Sequence, residues 1–380
     1  MMSRILLNLT ASVPHLGFRQ RPSRTQISSS ALLKFLHNMS TKELSQNETA
    51  NKILWSDPEF AARYKSSEEL TGGYAHDLCI QMGLQSFSSP IHLLDLACGT
   101  GIVTKKALAI LQTSDAARQF SKDKFTFADI SPEMLKVISS RVIAEKWPLS
   151  EEAKNMEVVE ANMIDTKLPS DTYTHLACNF GPGLAPGPDH VLRESYRMLR
   201  PGGIAGWTGW QNVAWLPDMT RALKEIREAA AQRCAQGNGT EADRKLSELP
   251  EMAKPEDMFA KFAGTDLNKL RAEGVPEADL PRWDKEEWFR KRVEAAGFVD
   301  VKVSIVKKDY TYTKEDASAM IKPLTGIVST FWTAQQREEF EGADLQGRVK
   351  EWFDHGLDVK EDGKVHWNDW QAMVITARKP

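Results

Sequence analysis

Cysteine is scarce in this 380-residue chain, with four residues in all (Cys79, Cys98, Cys178 and Cys234), no C-x-x-C pair and no ligand-like spacing with histidine. That argues against a structural zinc site and against a disulfide framework, and it fits a reducing compartment. No apolar run reaches the roughly 18 residues that a membrane-spanning helix needs. Neither sign of charge is in excess, since 49 Lys+Arg against 52 Asp+Glu leave a formal charge of −3. With a pI near 6.3 the chain lacks the global basic field of a dedicated nucleic-acid binder. Internal repeats and low-complexity tracts are also missing. What is present, 41% hydrophobic and 27% charged residues, is the composition of a globular protein able to bury a core. The length suits one large domain with additions, or two ordinary ones.

Acidic residues are absent from Met1 to Lys42, where Arg4, Arg19, Arg21, Arg24, Lys34 and Lys42 accompany frequent serines and the apolar Ile5, Leu6, Leu7 and Leu9. One reading is a mitochondrial presequence, because a cationic amphipathic helix is drawn to a negative-inside membrane. The other is a disordered leader, or an extended start with Met39 as the initiator, in a cytoplasmic protein.

Beyond the leader, helix-like spacing of Trp55, Phe60, Ala61, Tyr64, Leu70, Leu78 and Met82 predicts a helical cap over 43–85. Strands are expected at Ile91–Leu96, Phe125–Ala128, Met156–Glu160, His175–Asn179 and Ile204–Trp210. Helices are expected between them, at Val103–Leu111, from Ser131-Pro132 onward, and at Asp189–Leu199. This alternation over 86–210 predicts an α/β core, a parallel sheet covered on both faces. Residues 211–283 break the rhythm with polar helices, Met219–Gln236 the clearest. The helix Lys285–Ala296 and the strands Val299–Val306 and Trp370–Ala377 complete the core over 284–380. The interruptions at 211–283 and 313–366 fall between late sheet elements, where they can roof the open edge as lids.

The strongest chemical signal is Asp95-Leu-Ala-Cys-Gly-Thr-Gly101, directly after the first strand. A sharp turn from a buried strand into a helix, approached closely by a polar ligand, demands residues with little or no Cβ, hence Ala97, Gly99 and Gly101. Backbone N–H groups beside a helix N-terminus suit an anionic group such as a carboxylate. Asp129 closes the second strand and is placed either to accept hydrogen bonds from a ribose diol or to serve the start of the next helix.

These residues resemble a known family. Asp95–Gly101 is similar to the glycine motif of class I S-adenosylmethionine-dependent methyltransferases, and Ala128-Asp-Ile-Ser-Pro-Glu-Met-Leu135 to their second motif. Arg193–Gly203 resembles the "E-x-x-R-V-L-K-P-G-G" helix end, and Glu294–Val301 the late "AGF-x-x-V" element. The length and paired insertions resemble the fungal small-molecule methyltransferases of secondary metabolism. The resemblance implies a Rossmann-like, doubly wound, seven-stranded and mostly parallel sheet, with S-adenosyl-L-methionine as cofactor. It implies that Asp95, Ala97, Gly99 and Gly101 line the methionine portion, Asp129 the ribose hydroxyls, and Ile130 the adenine. Asn162 and Met163 fall where the family has an acid and an apolar residue near the adenine amine. Asn179 and Phe180 fall beside the sulfonium.

Methyl transfer needs a base only where the nucleophile must lose a proton. The candidates are Asp189 and His190, which open the helix after the loop 181–188; Asp189 also suits an N-cap, and His190 an exposed first turn. His175 reads as a hydrogen-bonded core residue. The eleven tryptophans include Trp207, Trp210 and Trp215 near the fifth strand's end, a core cluster or a pocket, of which Trp210 and Trp215 suit an aromatic substrate. Tyr64 and Phe180 are further substrate candidates. Arg290-Lys291-Arg292 and Lys307-Lys308 read as solvated faces. The expected activity is methylation of a small molecule, at oxygen ahead of sulfur or nitrogen. Competing readings are a protein or RNA methyltransferase and a cofactor-binding regulator or rearrangement catalyst. A nicotinamide oxidoreductase is disfavoured because the turn lacks G-x-G-x-x-G.

Overall fold

The computed structural model describes residues 68–114, 120–149, 155–185, 187–251, 267–277, 280, 282–321 and 334–380. The leader, the start of the helical cap and Tyr64 lie outside them. Seven strands, β1 (His92–Leu96), β2 (Lys124–Asp129), β3 (Met156–Glu160), β4 (Tyr173–Cys178), β5 (Leu199–Asn212), β6 (Val299–Thr313) and β7 (Lys364–Arg378), form one sheet in the order β3-β2-β1-β4-β5-β7-β6. The first five are mutually parallel, and β7 runs antiparallel to both neighbours. The doubly wound, mostly parallel sheet expected from the sequence is therefore present.

Central strands are apolar because both their faces are covered. In β1 every residue after His92 is buried, and β4 is buried throughout. Helices α1 (Glu68–Gln81), α2 (Ile102–Ser114), α3 (Pro132–Ala144) and α4 (Pro188–Met198) alternate with these strands. Ser131 caps α3 as its sequence suggests, its hydroxyl accepting from Met134 N at 3.2 Å with Pro132 in the first turn.

The last two strands are longer than their sequence suggests. β6 and β7 stay paired as far as Thr313↔Lys364, well beyond Val306 and before Trp370. The outer half of β6 alternates between half-buried and exposed positions, and that of β7 sets buried Val365, Trp367 and Trp370 among polar residues, so no apolar run marks either. β5 likewise begins at Leu199 rather than Ile204 and passes through Pro201-Gly202-Gly203, with Gly202 at φ 76°.

The stretches expected as insertions carry α5 (Leu216–Ala235), α6 (Glu241–Ser247) and α7 (Leu267–Ala272), and then α9 (Lys314–Ile321), α10 (Ala334–Glu341) and α11 (Leu345–His355); α8 (Glu286–Ala295) lies between them. The two sets share one apolar cluster containing Met219, Leu223, Phe353 and Trp367. Polar ties hold them together: Trp352 Nε1 donates to Glu225 at 2.7 Å, and Trp367 Nε1 to Asp218 at 2.8 Å. Among the described residues no helix is long and apolar enough to cross a membrane.

Helix α1 is fastened across the β6–β7 pair. Tyr74 OH donates to the Trp370 carbonyl at 3.1 Å, Tyr310 OH to the Leu70 carbonyl at 3.0 Å, and Ser304 Oγ to Gln81 Oε1 at 2.7 Å. Lys308 pairs with Asp77 at 2.8 Å, so it is not the solvated residue its sequence context suggests.

Candidate active site

The turn after β1 takes the left-handed conformation at alternate residues, with φ 54° at Ala97, 51° at Gly99 and 81° at Gly101. A non-glycine residue pays about 1 kcal/mol there, and alanine pays it with the smallest side chain. Gly101 has the φ that favours glycine, and a Cβ there would stand 2.5 Å from Ile138 Cδ1 and force that side chain to shift. The turn is tied to its neighbour: Cys98 N donates to the Ala128 carbonyl at 3.1 Å and Gly99 N to Asp129 Oδ2 at 2.8 Å. Ser131 N donates to Asp129 Oδ1 at 2.9 Å. From behind, buried Arg141 donates to the Thr100 carbonyl at 2.8 Å and pairs with Glu68 of α1.

Two carboxylates therefore lie buried at the tips of β1 and β2. Burial pushes Asp95 up to about 7, against two hydrogen bonds from Thr104 to its Oδ2. Its Oδ1 has no hydrogen-bond partner, and neither has the buried hydroxyl of Thr100. Burial also raises Asp129, and the backbone N–H groups of Gly99 and Ser131 oppose the rise.

The exits of β3 and β4 close on this turn. A Cβ at Gly181 would overlap Cys178 Sγ and come within 3.2 Å of Ala97 Cβ and 3.3 Å of Met163 Sδ. That close approach brings Met163 and the turn together. Asn162 stabilises its own loop, accepting from Ile164 N at 3.2 Å, and bridges to Asp165. Ile130 is half-buried between Asp129 and Ser131. Asn179 is half-buried, and Phe180 is held at φ 59°.

Phe180 stacks on Trp210 with centroids 4.0 Å apart and planes 18° from parallel. Tyr74 meets both rings edge-on, at 5.7 and 5.4 Å. Trp370 lies 5.3 Å from Trp210, and Trp215 is buried in the same apolar cluster. Phe180 and Trp210, substrate candidates from the sequence, are brought together here, and Tyr74, which the sequence did not single out, joins them.

Of the two base candidates, Asp189 is engaged by Arg292, whose Nε donates to Oδ1 at 2.6 Å while Nη2 contacts Oδ2. The pair joins α4 to α8 and occupies both carboxylate oxygens, which counts against a free base. Asp189 is not the N-cap either: Gly187 holds that position, at φ 76°. Arg292 is correspondingly no solvated residue, and neither is Arg290, which donates to the Val301 carbonyl at 2.6 Å. His190 sits half-exposed in the first turn of α4. His175 is buried within β4, its Nδ1 2.9 Å from Thr174 Oγ1. Among the described residues no group of three or more His, Cys, Asp or Glu is placed to hold a metal ion.

Residues 75–208 match the sequence profile of the ubiE/COQ5 methyltransferase family. The chain is 28% identical to acetylaranotin bis-thiomethyltransferase of Aspergillus terreus over 86% of its own length and 97% of that protein's. It is 26% identical to methyltransferase tpcH of Aspergillus fumigatus, over 86% of this chain and 99% of the relative. Methyltransferase ktnA of Aspergillus niger is also 26% identical, over 84% and 95% respectively. The ordered motifs, the sheet that presents them and these similarities agree: the chain is similar to the class I S-adenosylmethionine-dependent methyltransferases, and to fungal methyltransferases over most of its length.

Proposed function

We propose that the chain transfers the methyl group of S-adenosyl-L-methionine to a heteroatom of a small, planar secondary metabolite. The observation that carries this reading is a small-residue turn bearing two orphaned buried polar atoms, set beside a strand-end acid and a stacked aromatic pair. The residues present fit the donor. Ala97, Gly99 and Gly101 leave room for its amino-acid end. A cationic amino group would give Asp95 Oδ1 the partner it lacks and favour its ionised form. Each Asp129 oxygen accepts one backbone N–H and keeps a second lone pair for a ribose hydroxyl. Ile130, Asn162 and Met163 would flank the adenine.

When bound, the donor supplies an activated methyl group and its own leaving group. What remains for the protein is to hold the acceptor in line and exclude water. Phe180 and Trp210, with Tyr74 edge-on and Trp215 behind, form a wall suited to a flat apolar acceptor. The described helices α5, α9 and α11 share an apolar cluster with Phe180 and Trp215, which would let them roof the site.

Oxygen is the acceptor in this reading, with His190 left as the base once Asp189 is committed to Arg292. Sulfur is the second reading, favoured by the similarity to a protein named as a bis-thiomethyltransferase. A thiolate needs no base, which would also accommodate the engagement of Asp189. The test is incubation of the full chain with methyl-labelled S-adenosylmethionine and, separately, 1-naphthol, 1-naphthalenethiol and a fungal metabolite extract. Labelled ether supports oxygen and labelled thioether sulfur; cofactor binding without labelled product from any of the three would overturn the proposal.

A further inference from the structure

We propose that Thr208 is a positioning residue that fixes which way Asn179 presents its amide and holds Phe180 in its left-handed conformation beside the methyl donor. The inference deepens the preceding functional reading and rests on it. Thr208 lies in β5, fully buried, within a run that is otherwise glycine and tryptophan. Its Oγ1 accepts from Phe180 N at 2.8 Å and donates to Asn179 Oδ1, also at 2.8 Å.

This chain of hydrogen bonds has a direction. A backbone N–H can only donate, so the Phe180 bond must use a lone pair of the hydroxyl. The hydroxyl proton points at Asn179 Oδ1, so the amide carbonyl is the group that faces Thr208. The two N–H donors of Asn179 are thereby left on the side of the carboxamide away from Thr208. An electron-rich acceptor atom, or the carboxylate of the donor's amino-acid end, is what such donors bind. The bond from Phe180 N holds Phe180 at φ 59°, a conformation strained for a residue with a side chain, in which its ring stacks on Trp210. One hydroxyl thus sets both a polar and an aromatic element at the exit of β4.

The experiment compares the full-length wild type with Thr208→Val, Thr208→Ser and Asn179→Leu. Affinity for S-adenosylhomocysteine is measured by calorimetry, and the Phe180–Trp210 stack by near-ultraviolet circular dichroism without ligand. Thr208→Val is expected to alter the aromatic dichroism and to weaken binding about tenfold. Thr208→Ser, which keeps the hydroxyl, restores both to within about twofold. Asn179→Leu, at a half-buried site, is expected to reproduce the loss of affinity, with its fold checked by far-ultraviolet dichroism, even if Thr208→Val proves unstable. Wild-type dichroism and affinity in Thr208→Val, or no rescue by serine, overturns the inference. A wild type that ignores S-adenosylhomocysteine overturns the cofactor reading instead, and the ligand-free dichroism of the variants still decides whether Thr208 holds Phe180.

Discussion

The backbone N–H of Gly99 donates to Asp129 Oδ2 at 2.8 Å, joining the turn after β1 to the acid at the end of β2. The two residues come from different motifs of the sequence, and each explains the other's geometry. Gly99 turns its N–H toward the neighbouring strand by taking φ 51°, and Asp129 tolerates burial because Gly99 and Ser131 both donate to it. A cofactor lying across both strand tips would meet one preassembled surface.

Replacing Asp129 with alanine removes the acceptor for two backbone donors and, in the proposed reading, for the ribose. Affinity for S-adenosylhomocysteine should fall by about 1–3 kcal/mol in calorimetry. An unchanged affinity in a folded variant would take Asp129 out of the site.

Asp95 carries a pH signature. Its folded pKa is raised from 3.8 to about 7, so the folded chain holds a proton that the unfolded chain has released. Its contribution to stability is therefore full below about pH 4 and declines as pH rises toward 7, by on the order of a few kcal/mol. A cationic ligand group beside Asp95 favours the ionised form, so binding near pH 6 should release close to one proton and affinity should rise with pH up to about 7. Calorimetry in buffers of low and high ionisation enthalpy measures this directly. Asp95→Asn should abolish the buffer dependence; its persistence in that variant would assign the proton to another group.

Gly101→Ala places a Cβ at φ 81° and within 2.5 Å of Ile138 Cδ1. The expected loss is about 1–3 kcal/mol of stability in urea unfolding, with weaker cofactor binding. Gly99→Val should fold yet fail to bind; normal binding by that variant would make the turn merely structural.

The Asp189–Arg292 pair predicts a separation of effects. Asp189→Ala leaves the mostly buried Arg292 without its partner and should cost about 1–3 kcal/mol of stability. Affinity for S-adenosylhomocysteine should stay within about twofold of wild type. A variant of normal stability that binds poorly would return Asp189 to the site.

Legibility in the sequence followed burial. β1, β2 and β4 are buried apolar runs ended by small or polar residues, and their chemistry-bearing tips, Asp95–Gly101 and Asp129, could be read directly. The outer halves of β6 and β7 could not, because an edge pair with one wet face interrupts its apolar positions with charged residues such as Lys307, Lys308 and Asp369. Arg292 and Lys308 looked solvated because their partners, Asp189 and Asp77, are over a hundred residues away and only the fold brings them near. Tyr74 and Thr208 leave a fainter trace. Thr208 is the one hydroxyl in Gly-Trp-Thr-Gly-Trp, a polar residue where a buried strand wants none.

The most direct measurement is a crystal structure of the chain grown with S-adenosylhomocysteine. Density is expected across the tips of β1 and β2, with the amino-acid end against Ala97–Gly101 near Asp95 and the ribose hydroxyls on Asp129. Ligand bound elsewhere, or an empty turn at saturating concentration, would contradict that placement.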